Sequence, residues 1–339
     1  MCEQQYFIEY VLGRRGSSNK KADKGTIVHK VLEILALMKK GVQDEEEVII
    51  DDIVGEINLK ECDMFDNKYV LYLCNAVYDY YTSQFSHHPW SDKDRRDCTE
   101  WVRKTLTGNN RLFDPRRRDV FRAEQHFDIT VEKDWAKYAY DTKGEKLEGN
   151  LSIKGTVDLI TKVSDNTLEI IDWKTGRRLN WATGEEKTQE KLEQDPQLRL
   201  YHYALHRLFP EFEHIIVTIN FMNDGGPYSI CFDNEDNAAK AEYMIRQKFE
   251  RIKKTTKPVL SRSWKCTKLC HFGKNNFLED DQVTPMIEYR DNQIANKDKL
   301  MTQCEQIKHD THINGMDYVV ENYQTPGYSV NTYKAPGEV

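Results

Sequence analysis

Hydrophobic and polar positions alternate most clearly in the middle of the chain, in two runs separated by a short polar segment. The runs cover residues 150–163 and 167–173, and their apolar members are Ile153, Val157, Leu159, Ile160, Leu168, Ile170 and Ile171. The segment between them, Ser164-Asp165-Asn166, consists of residues that favour turns. Two β-rich runs joined by a few turn residues predict a β-hairpin.

Further elements are predicted on both sides of this hairpin. Residues 212–222 and 227–232 have strand patterns and are joined by Asn-Asp-Gly-Gly, a strong hairpin signal. Residues 237–253 place apolar side chains at helical spacing. A helix opened by His29 runs to about Lys40, and residues 42–118 have mainly helical patterns. The sequence therefore predicts an α/β fold in which helices flank a mixed central sheet, with a helical insertion.

The C-terminal part has weaker patterns. Residues 287–308 are consistent with a polar helix, and the last fifteen residues contain two Pro-Gly pairs typical of a loose tail. No internal repeat is visible, and no run of about 18 apolar residues predicts a membrane span.

The net charge of −7 argues at first against a nucleic-acid ligand, but the distribution of charge matters more than the total. Residues 251–274 carry eight Lys or Arg, among them Lys253 and Lys254, and no Asp or Glu. Two further clusters are Arg116-Arg117-Arg118 and Arg177-Arg178. Such clusters either form solvated faces or contact DNA phosphates, which gives sequence-independent, salt-sensitive affinity.

Three charged residues of the predicted hairpin point to a chemistry. Because side chains alternate along a strand, Asp172 and Lys174 share one side, and the hairpin brings Asp158 close to them. Carboxylates on neighbouring strands can share a hard divalent cation, and a lysine beside it can orient water or stabilise charge on phosphorus. The alternative is that these are solvated charges at strand ends.

Three further features favour the catalytic interpretation. Gln197 and Tyr201 are four apart in a helix that Asp195 and Pro196 are suited to begin, so they share a face. His29 lies in the segment Gly25-Thr-Ile-Val-His-Lys-Val-Leu-Glu, and Glu124 lies in a short strand. Two of these features also have a structural explanation: an ordinary amphipathic helix with a buried tyrosine for Gln197 and Tyr201, and a structural histidine for His29.

Taken in chain order, the motifs resemble the RecB-like branch of the PD-(D/E)xK nuclease superfamily, over roughly residues 2–274. The order is the His29 helix, the Glu124 strand, Gly155-x-x-Asp158, Asp172-x-Lys174-Thr-Gly and Gln197-x-x-x-Tyr201. The resemblance implies a nuclease domain at 1–274, with 42–118 as its helical insertion and 275–339 as a C-terminal extension. It implies metal ligands at His29, Asp158, Asp172 and the carbonyl of Trp173. It implies a catalytic lysine at Lys174, site-lining residues at Gln197 and Tyr201, and an acidic site position at Glu124.

The resemblance also implies an activity, namely DNA hydrolysis that depends on Mg²⁺ or Mn²⁺. Within the family an exonuclease of recombination, repair or replication is favoured, acting in the cytoplasm of a bacterial or phage-infected cell. No Walker A sequence is present, so unwinding would require a helicase or recombination partner. Strand preference, endonuclease action and an upstream segment stay open. The main rival is a degenerate nuclease that only holds DNA ends or serves in a larger assembly.

Eight cysteines add a second possible site. Cys2, Cys266 and Cys270 resemble cysteines that hold an iron–sulfur cluster in many RecB-like nucleases. The match is incomplete, because the C-terminal pair has C-x3-C spacing and no cysteine follows closely. Three interpretations stay open: a [4Fe–4S] cluster with Cys304 as a remote fourth ligand, a Cys3His zinc site completed by His271, or no metal. A structural metalloprotein is therefore a second rival function.

Overall fold

The computed structural model describes residues 2–16, 18–46, 48–142, 145–179, 184–224, 226–255, 257–277 and 301–328. They form two compact units. The larger is Asn19–Phe249, and the smaller combines Met1–Ser18 with Glu250–Val339. No helix among the described residues is long and apolar enough to cross a membrane.

A five-stranded sheet forms the centre of the larger unit. Its strands, in spatial order, are β3 (Val120–Thr130), β6 (Ser152–Ser164), β7 (Thr167–Lys174), β8 (His214–Phe221) and β9 (Gly226–Cys231). Only β7 and β8 pair in parallel, and the other neighbours are antiparallel. The sheet is therefore mixed, and the predicted α/β class is confirmed.

The predicted hairpin is the β6–β7 pair. Leu159 pairs with Ile171 and Ile160 with Ile170, so the apolar members of the two runs face each other as the alternation predicts. The parallel partner β8 is reached through α6 (Gln189–Glu193) and α7 (Pro196–Leu208), since parallel strands require a long crossover. The β8–β9 hairpin is also present, although Gly225 of its predicted turn lies outside the described residues.

Helix α2 (Lys20–Asp44) packs on one face of the sheet. It begins nine residues before His29, because the Asn19 side chain accepts a hydrogen bond from the N–H of Ala22 and caps the helix there. Its apolar side chains share a core with Leu159, Ile171 and Trp173 of the hairpin. A second core lies between α7 and residues such as Ile170 and Val217. The central sheet is thus covered by helices on both faces.

The remaining elements of the larger unit include those of residues 42–118, the region predicted to be mainly helical. They are β1 (Val48–Ile50), α3 (Asp51–Val54), β2 (Gly55–Ile57), α4 (Asn67–Gln84), α5 (Asp92–Thr107), β4 (Lys137–Thr142), β5 (Glu145–Asn150) and α8 (Asn234–Lys254). Short 3-10 turns occur at Asn109–Arg111, Pro115–Arg117 and Asp134–Ala136. Helix α8 buries Ala241, Ile245 and Phe249, which lie on the apolar face predicted for residues 237–253.

The smaller unit is helical where it is described. Its helices are α1 (Glu3–Tyr6), α9 (Trp264–Lys268), α10 (His271–Lys274), α11 (Gln303–Ile313) and α12 (Gly315–Tyr323), and a π-helical turn covers Phe7–Val11. Its core includes Ile8, Leu12, Phe272 and Ile307. The helix predicted over 287–308 lies partly outside the described residues, and the observed helix runs later, over Gln303–Ile313. The predicted tail lies outside the described residues from 329 onward.

Candidate active site

Asp158, Asp172 and Lys174 come together at one end of the β6–β7 hairpin. The ammonium of Lys174 lies 2.9 Å from Oδ1 and 2.8 Å from Oδ2 of Asp172. Asp158 accepts a hydrogen bond of 2.8 Å from the backbone N–H of Trp173, which lies between the other two residues in sequence. The indole of Trp173 is fully buried in the core formed with α2. This buried side chain fixes the strand so that its two charged neighbours share the other face.

His29 and Glu124 complete a group of potential metal ligands with Asp158. Each of the three offers a ligand atom, and these atoms lie within 4.8 Å of one another. Nδ1 of His29 lies 3.4 Å from Oδ1 of Asp158. Glu124 has φ 46°, in the left-handed region that side chains other than glycine rarely adopt. A strained backbone at such a position is typical of functional sites.

The protonation equilibria show how strongly these groups interact. Burial, reinforced by the carboxylates of Asp158 and Glu33, raises the pKa of Glu124 to about 7. Burial also raises the pKa of Asp172 to about 6, against the opposing effect of Lys174. Burial disfavours the charged form of Asp158, but His29 and Lys174 outweigh it, so the pKa of Asp158 is lowered. The site therefore concentrates negative charge that a cation would stabilise.

His29 and Lys174 are the cationic partners of these carboxylates. Burial alone would lower the pKa of each, but Asp158 raises the pKa of His29 and Asp172 raises that of Lys174. Lys174 therefore carries its charge at neutral pH. The imidazole of His29 becomes available to a metal only when its proton is displaced.

Gln197 and Tyr201 lie together on α7, as predicted. The Asp195 carboxylate accepts a hydrogen bond of 2.9 Å from the N–H of Gln197, and Pro196 occupies the first turn, so the helix begins where the sequence indicated. The amide of Gln197 donates to the hydroxyl of Tyr201 over 2.7 Å. Burial and the carboxylates of Asp172 and Asp158 raise the pKa of Tyr201. Tyr201, and Gln197 bonded to it, therefore lie near Asp158 and Asp172 of the β6–β7 hairpin.

The basic residues predicted to contact DNA have different environments. Arg116 is buried, and its guanidinium donates to Asp114 and to the carbonyl of Met64. Three of its five N–H donors are engaged by Asp114 and Met64, which leaves the side chain poorly placed for the predicted phosphate contact. Arg178 forms an ion pair with Glu186 and lies over the ring of Tyr228, 4.8 Å from its centroid.

The other predicted DNA contacts are exposed. They are Arg117 and Arg177 in the larger unit and Lys253 and Lys254 at the end of α8. Their position at the surface is compatible with binding phosphate, and their contribution to DNA binding stays a prediction.

The three predicted cluster cysteines lie in the smaller unit together with Cys304. Burial, reinforced by the thiols of Cys2, Cys270 and Cys266, raises the pKa of Cys304 to about 12. Burial also raises the pKa of Cys270, which precedes α10 and whose carbonyl accepts a hydrogen bond of 3.2 Å from the N–H of Gly273. Cys304, which interacts electrostatically with the predicted set, lies in α11. The ring of His271 is hydrogen-bonded to the Asn275 amide.

The cysteine sulfurs are more widely spaced than a preformed zinc site requires. Zinc bonds of about 2.3 Å place tetrahedral sulfur ligands about 4 Å apart. Among the described residues, only two groups bring three potential ligand atoms within 4.8 Å of one another, and neither contains a cysteine. One is the group of His29, Glu124 and Asp158 described above. The other is Asp23, His87 and His88, which the sequence had not indicated.

Glu33 is a further site residue that the sequence analysis had not assigned. It lies one helical turn after His29 on α2, where its carboxylate raises the pKa of Glu124 and forms an ion pair of 3.1 Å with Lys30. Its four-residue spacing from His29 is the signal that could have identified it, since such residues share a helix face.

Comparisons with known proteins place this site in a family. The family model of the PD-(D/E)XK nuclease superfamily matches residues 1–274. None of the curated proteins matches the chain. A solved structure described provisionally as an exonuclease, from Eubacterium rectale, has 10% sequence identity and a TM-score of 0.34, over 68% of this chain and 78% of its own. The structure of SSO0001 has 18% identity and a TM-score of 0.24, over 57% and 75%. These two similarities are too low to carry an argument.

The family match spans most of the chain and includes the hairpin with Asp158, Asp172 and Lys174, so the chain belongs to the PD-(D/E)XK nuclease superfamily.

Proposed function

We propose that this protein is a divalent-metal-dependent deoxyribonuclease that hydrolyses phosphodiester bonds and acts as an exonuclease. The observation that carries the proposal is the group of His29, Glu124 and Asp158 beside the Asp172–Lys174 ion pair. An imidazole and several carboxylates in one partly buried site suit Mg²⁺ or Mn²⁺, and the nitrogen ligand suits Mn²⁺ better.

The proposed ligands are His29, Glu124, Asp158 and Asp172, together with the carbonyl of Trp173 as the family resemblance implies. The raised pKa values of Glu124 and Asp172 support this set, because they reflect carboxylates that repel one another or lack solvent. When bound, the cation would supply Lewis-acid stabilisation and a water of lowered pKa.

Lys174 and the α7 residues would act on the substrate directly. The ammonium of Lys174 is held by Asp172, so it can stabilise negative charge on phosphate oxygens or orient a water without first being ordered. Gln197 would position the hydroxyl of Tyr201 and contact the DNA backbone. Arg117, Arg177, Arg178, Lys253 and Lys254 would add phosphate contacts, whereas Arg116 would not.

The wider setting follows the family resemblance. The nuclease domain would span 1–274, with 42–118 as its insertion and 275–339 as an extension. The enzyme would act in recombination, repair or replication, in the cytoplasm of a bacterial or phage-infected cell, with a helicase or a recombination protein as partner.

The smaller unit would hold a metal centre on Cys2, Cys266, Cys270 and Cys304. The thiols of Cys2, Cys266 and Cys270 lie near enough to the buried Cys304 to raise its pKa, and a set of four such cysteines suits a metal that binds thiolates. The wide sulfur spacing favours a [4Fe–4S] cluster over zinc. This centre would have a structural role, since it would join the two ends of the chain.

A cleavage assay tests the proposed activity. End-labelled linear and closed circular DNA, single- and double-stranded, would be incubated with Mg²⁺ or Mn²⁺ and wild-type protein or Lys174→Ala. We expect degradation of linear DNA only, reduced about 100-fold or more in the variant, because its charge at the phosphate is lost. DNA binding should persist in Lys174→Ala.

Lys162→Ala is the matched control, because Lys162 lies on the same hairpin and pairs with the exposed Asp165. Nicking of circles would replace the exonuclease with an endonuclease. Binding without cleavage under all conditions would overturn the proposed activity and favour a protein that only holds DNA ends.

A further inference from the structure

A basic cavity of about 440 Å³ lies in the larger unit, beside the end of β7. Four cationic side chains line it: Lys21, Lys93, Lys104 and Arg177. Thr175, which directly follows Lys174, is also part of the lining, as is the indole of Trp101. The cavity therefore begins one residue from the catalytic lysine.

Helices α2 and α5 each carry several of the residues discussed here on one face. Lys93, Trp101 and Lys104 lie on one face of α5, since their spacings of eight and three residues bring them round to the same side. On α2, Lys21, Gly25 and His29 are each four residues apart and also share a face.

Gly25 allows α2 to approach the end of β7 closely. A Cβ added there would lie 3.3 Å from Oγ1 of Thr175, so any larger side chain would press on the catalytic strand. One face of α2 thus runs from the basic cavity, past Thr175, to the candidate metal ligand His29. At 1.5 Å per residue, Lys21 and His29 are about 12 Å apart along the helix axis.

The positive charge of the cavity is not balanced by its acidic lining. Asp97 and Asp224 are the two carboxylates there, and both have other partners. Asp97 lies 2.6 Å from Nζ of Lys24, and Asp224 accepts a hydrogen bond from the backbone N–H of Arg178. Within the described part of the chain, no carboxylate lies within ion-pair distance of Lys93.

The cations also repel one another. Burial, and after it the charge of Arg177, lowers the pKa of Lys21. Like charges held this close are stabilised by an anion, and a phosphate accepts several charge-assisted hydrogen bonds at once. The amide of Asn223 also lies in the lining and donates to the carbonyl of Thr175 over 3.0 Å, which fixes that wall of the cavity.

The size of the cavity limits the ligand. Pockets of 300–1,000 Å³ hold ligands of drug size, so about 440 Å³ suits one nucleotide rather than a duplex. Trp101 also lies in the lining, and the ammonium of Lys24 lies over its ring, 5.0 Å from the centroid. A nucleotide held there would lie only a few nucleotides along the strand from the metal ligands, given the 12 Å separation along α2.

We infer that this cavity binds the terminal phosphate of a DNA strand and so sets where the strand end lies relative to the catalytic centre. The inference rests on the proposed nuclease function and deepens it, because it specifies the substrate as a strand with a phosphorylated end. A terminal phosphate monoester carries more charge than an internal diester, and the four cations complement that difference.

The test uses single-stranded oligonucleotides with either a phosphate or a hydroxyl at the 5′ end, and likewise at the 3′ end. Binding to the full-length protein is measured by fluorescence anisotropy in EDTA, and cleavage is measured with Mn²⁺. We expect one phosphorylated end to bind about tenfold more tightly than its hydroxyl counterpart, since charge-assisted hydrogen bonds are lost with the phosphate.

The variant Lys93→Gln/Lys104→Gln should reduce this preference to about twofold or less. Lys68→Gln, an exposed lysine at the start of α4, is the matched control and should keep the full preference. Equal binding and equal cleavage of all four end types by wild type would overturn the inference, as would a double variant that retains the preference.

The binding readout separates this inference from the proposed activity. A protein that prefers a phosphorylated end in EDTA yet cleaves nothing would support the cavity and remove the nuclease function. A protein that cleaves without any end preference would support the nuclease and remove the cavity as a phosphate site.

Discussion

At the scale of single residues, Glu124 combines three unusual properties. Its backbone is left-handed within β3, its pKa is raised to about 7, and its carboxylate lies with His29 and Asp158. Each property costs stability in the free protein, since the strain and the like charges both oppose folding. A residue that is unfavourable for folding and placed among potential ligands is best explained by a role in binding a cation.

Two substitutions of Glu124 distinguish the effect of its backbone strain from the effect of its carboxylate charge. Glu124→Ala and Glu124→Gly both remove the carboxylate, so both should weaken Mn²⁺ binding measured by calorimetry. Only glycine relieves the left-handed backbone, so Glu124→Gly should be about 1 kcal/mol more stable to urea than Glu124→Ala. An alanine variant as stable as the glycine variant would show that the backbone is not strained.

At the scale of elements, α7 connects the candidate site to the rest of the fold. It carries Gln197 and Tyr201 near one end, and its buried His202 contacts the amide of Asn237 on α8, 3.0 Å from Nδ1. Burial, and after it the charge of His206, lowers the pKa of His202 to about 4. The helix is therefore packed around a neutral imidazole.

This packing predicts a pH dependence of stability. The pKa of His202 is about 4 in the folded protein and about 6.5 in the unfolded chain, so the unfolded state binds more protons between these values. Titration of His202 alone should therefore lower the free energy of unfolding by about 2 kcal/mol between pH 7 and pH 5. The raised pKa values of Glu124 and Asp172 act in the opposite direction, because these carboxylates bind protons in the folded protein before they do so in the unfolded chain, so the His202 contribution is obtained by comparison with a variant. Urea unfolding at the two pH values measures the difference.

His202→Gln cannot titrate, so between pH 7 and pH 5 it should lose about 2 kcal/mol less stability than wild type. His206→Gln should keep most of the His202 contribution, because burial is the larger cause of the lowered pKa. An unchanged dependence in His202→Gln would assign the effect to other groups.

The sequence predicted best those features that local patterns determine. The β6–β7 hairpin followed from alternation and a polar turn, and the start of α7 followed from Asp195 and Pro196. The burial of Arg116 could not be predicted, because it depends on Asp114 and on Met64, which is 52 residues away. The backbone of Glu124 and the proximity of Cys304 depend likewise on tertiary contacts that no short motif specifies.

At the scale of the whole molecule, the chain forms one continuous unit and one unit made from both of its ends. The proposed catalytic residues all lie in the continuous unit. The cysteine set lies in the other, where Cys2 comes from the first residues and Cys304 from α11. A metal centre there would stabilise the fold by closing a loop of almost the whole chain.

Replacing Cys304 tests this centre. Cys304→Ser should lower the iron and visible absorbance of anaerobically purified protein and lower its melting temperature, because a buried ligand is lost. The exposed Cys231 provides the control, and Cys231→Ser should change neither. Wild-type protein that is colourless and free of iron and zinc after anaerobic purification would exclude the centre.

The division into a continuous unit and a two-ended unit also orders events on the ribosome. Residues 19–249 leave the exit tunnel as one stretch and can fold while synthesis continues. The first 18 residues must wait for partners that begin at Glu250, which at 5–20 residues per second means roughly ten to fifty seconds. During that time Phe7, Ile8 and Leu12, which are buried in the finished protein, lack their partners. These apolar side chains therefore stay accessible to a chaperone even after residues 19–249 have folded.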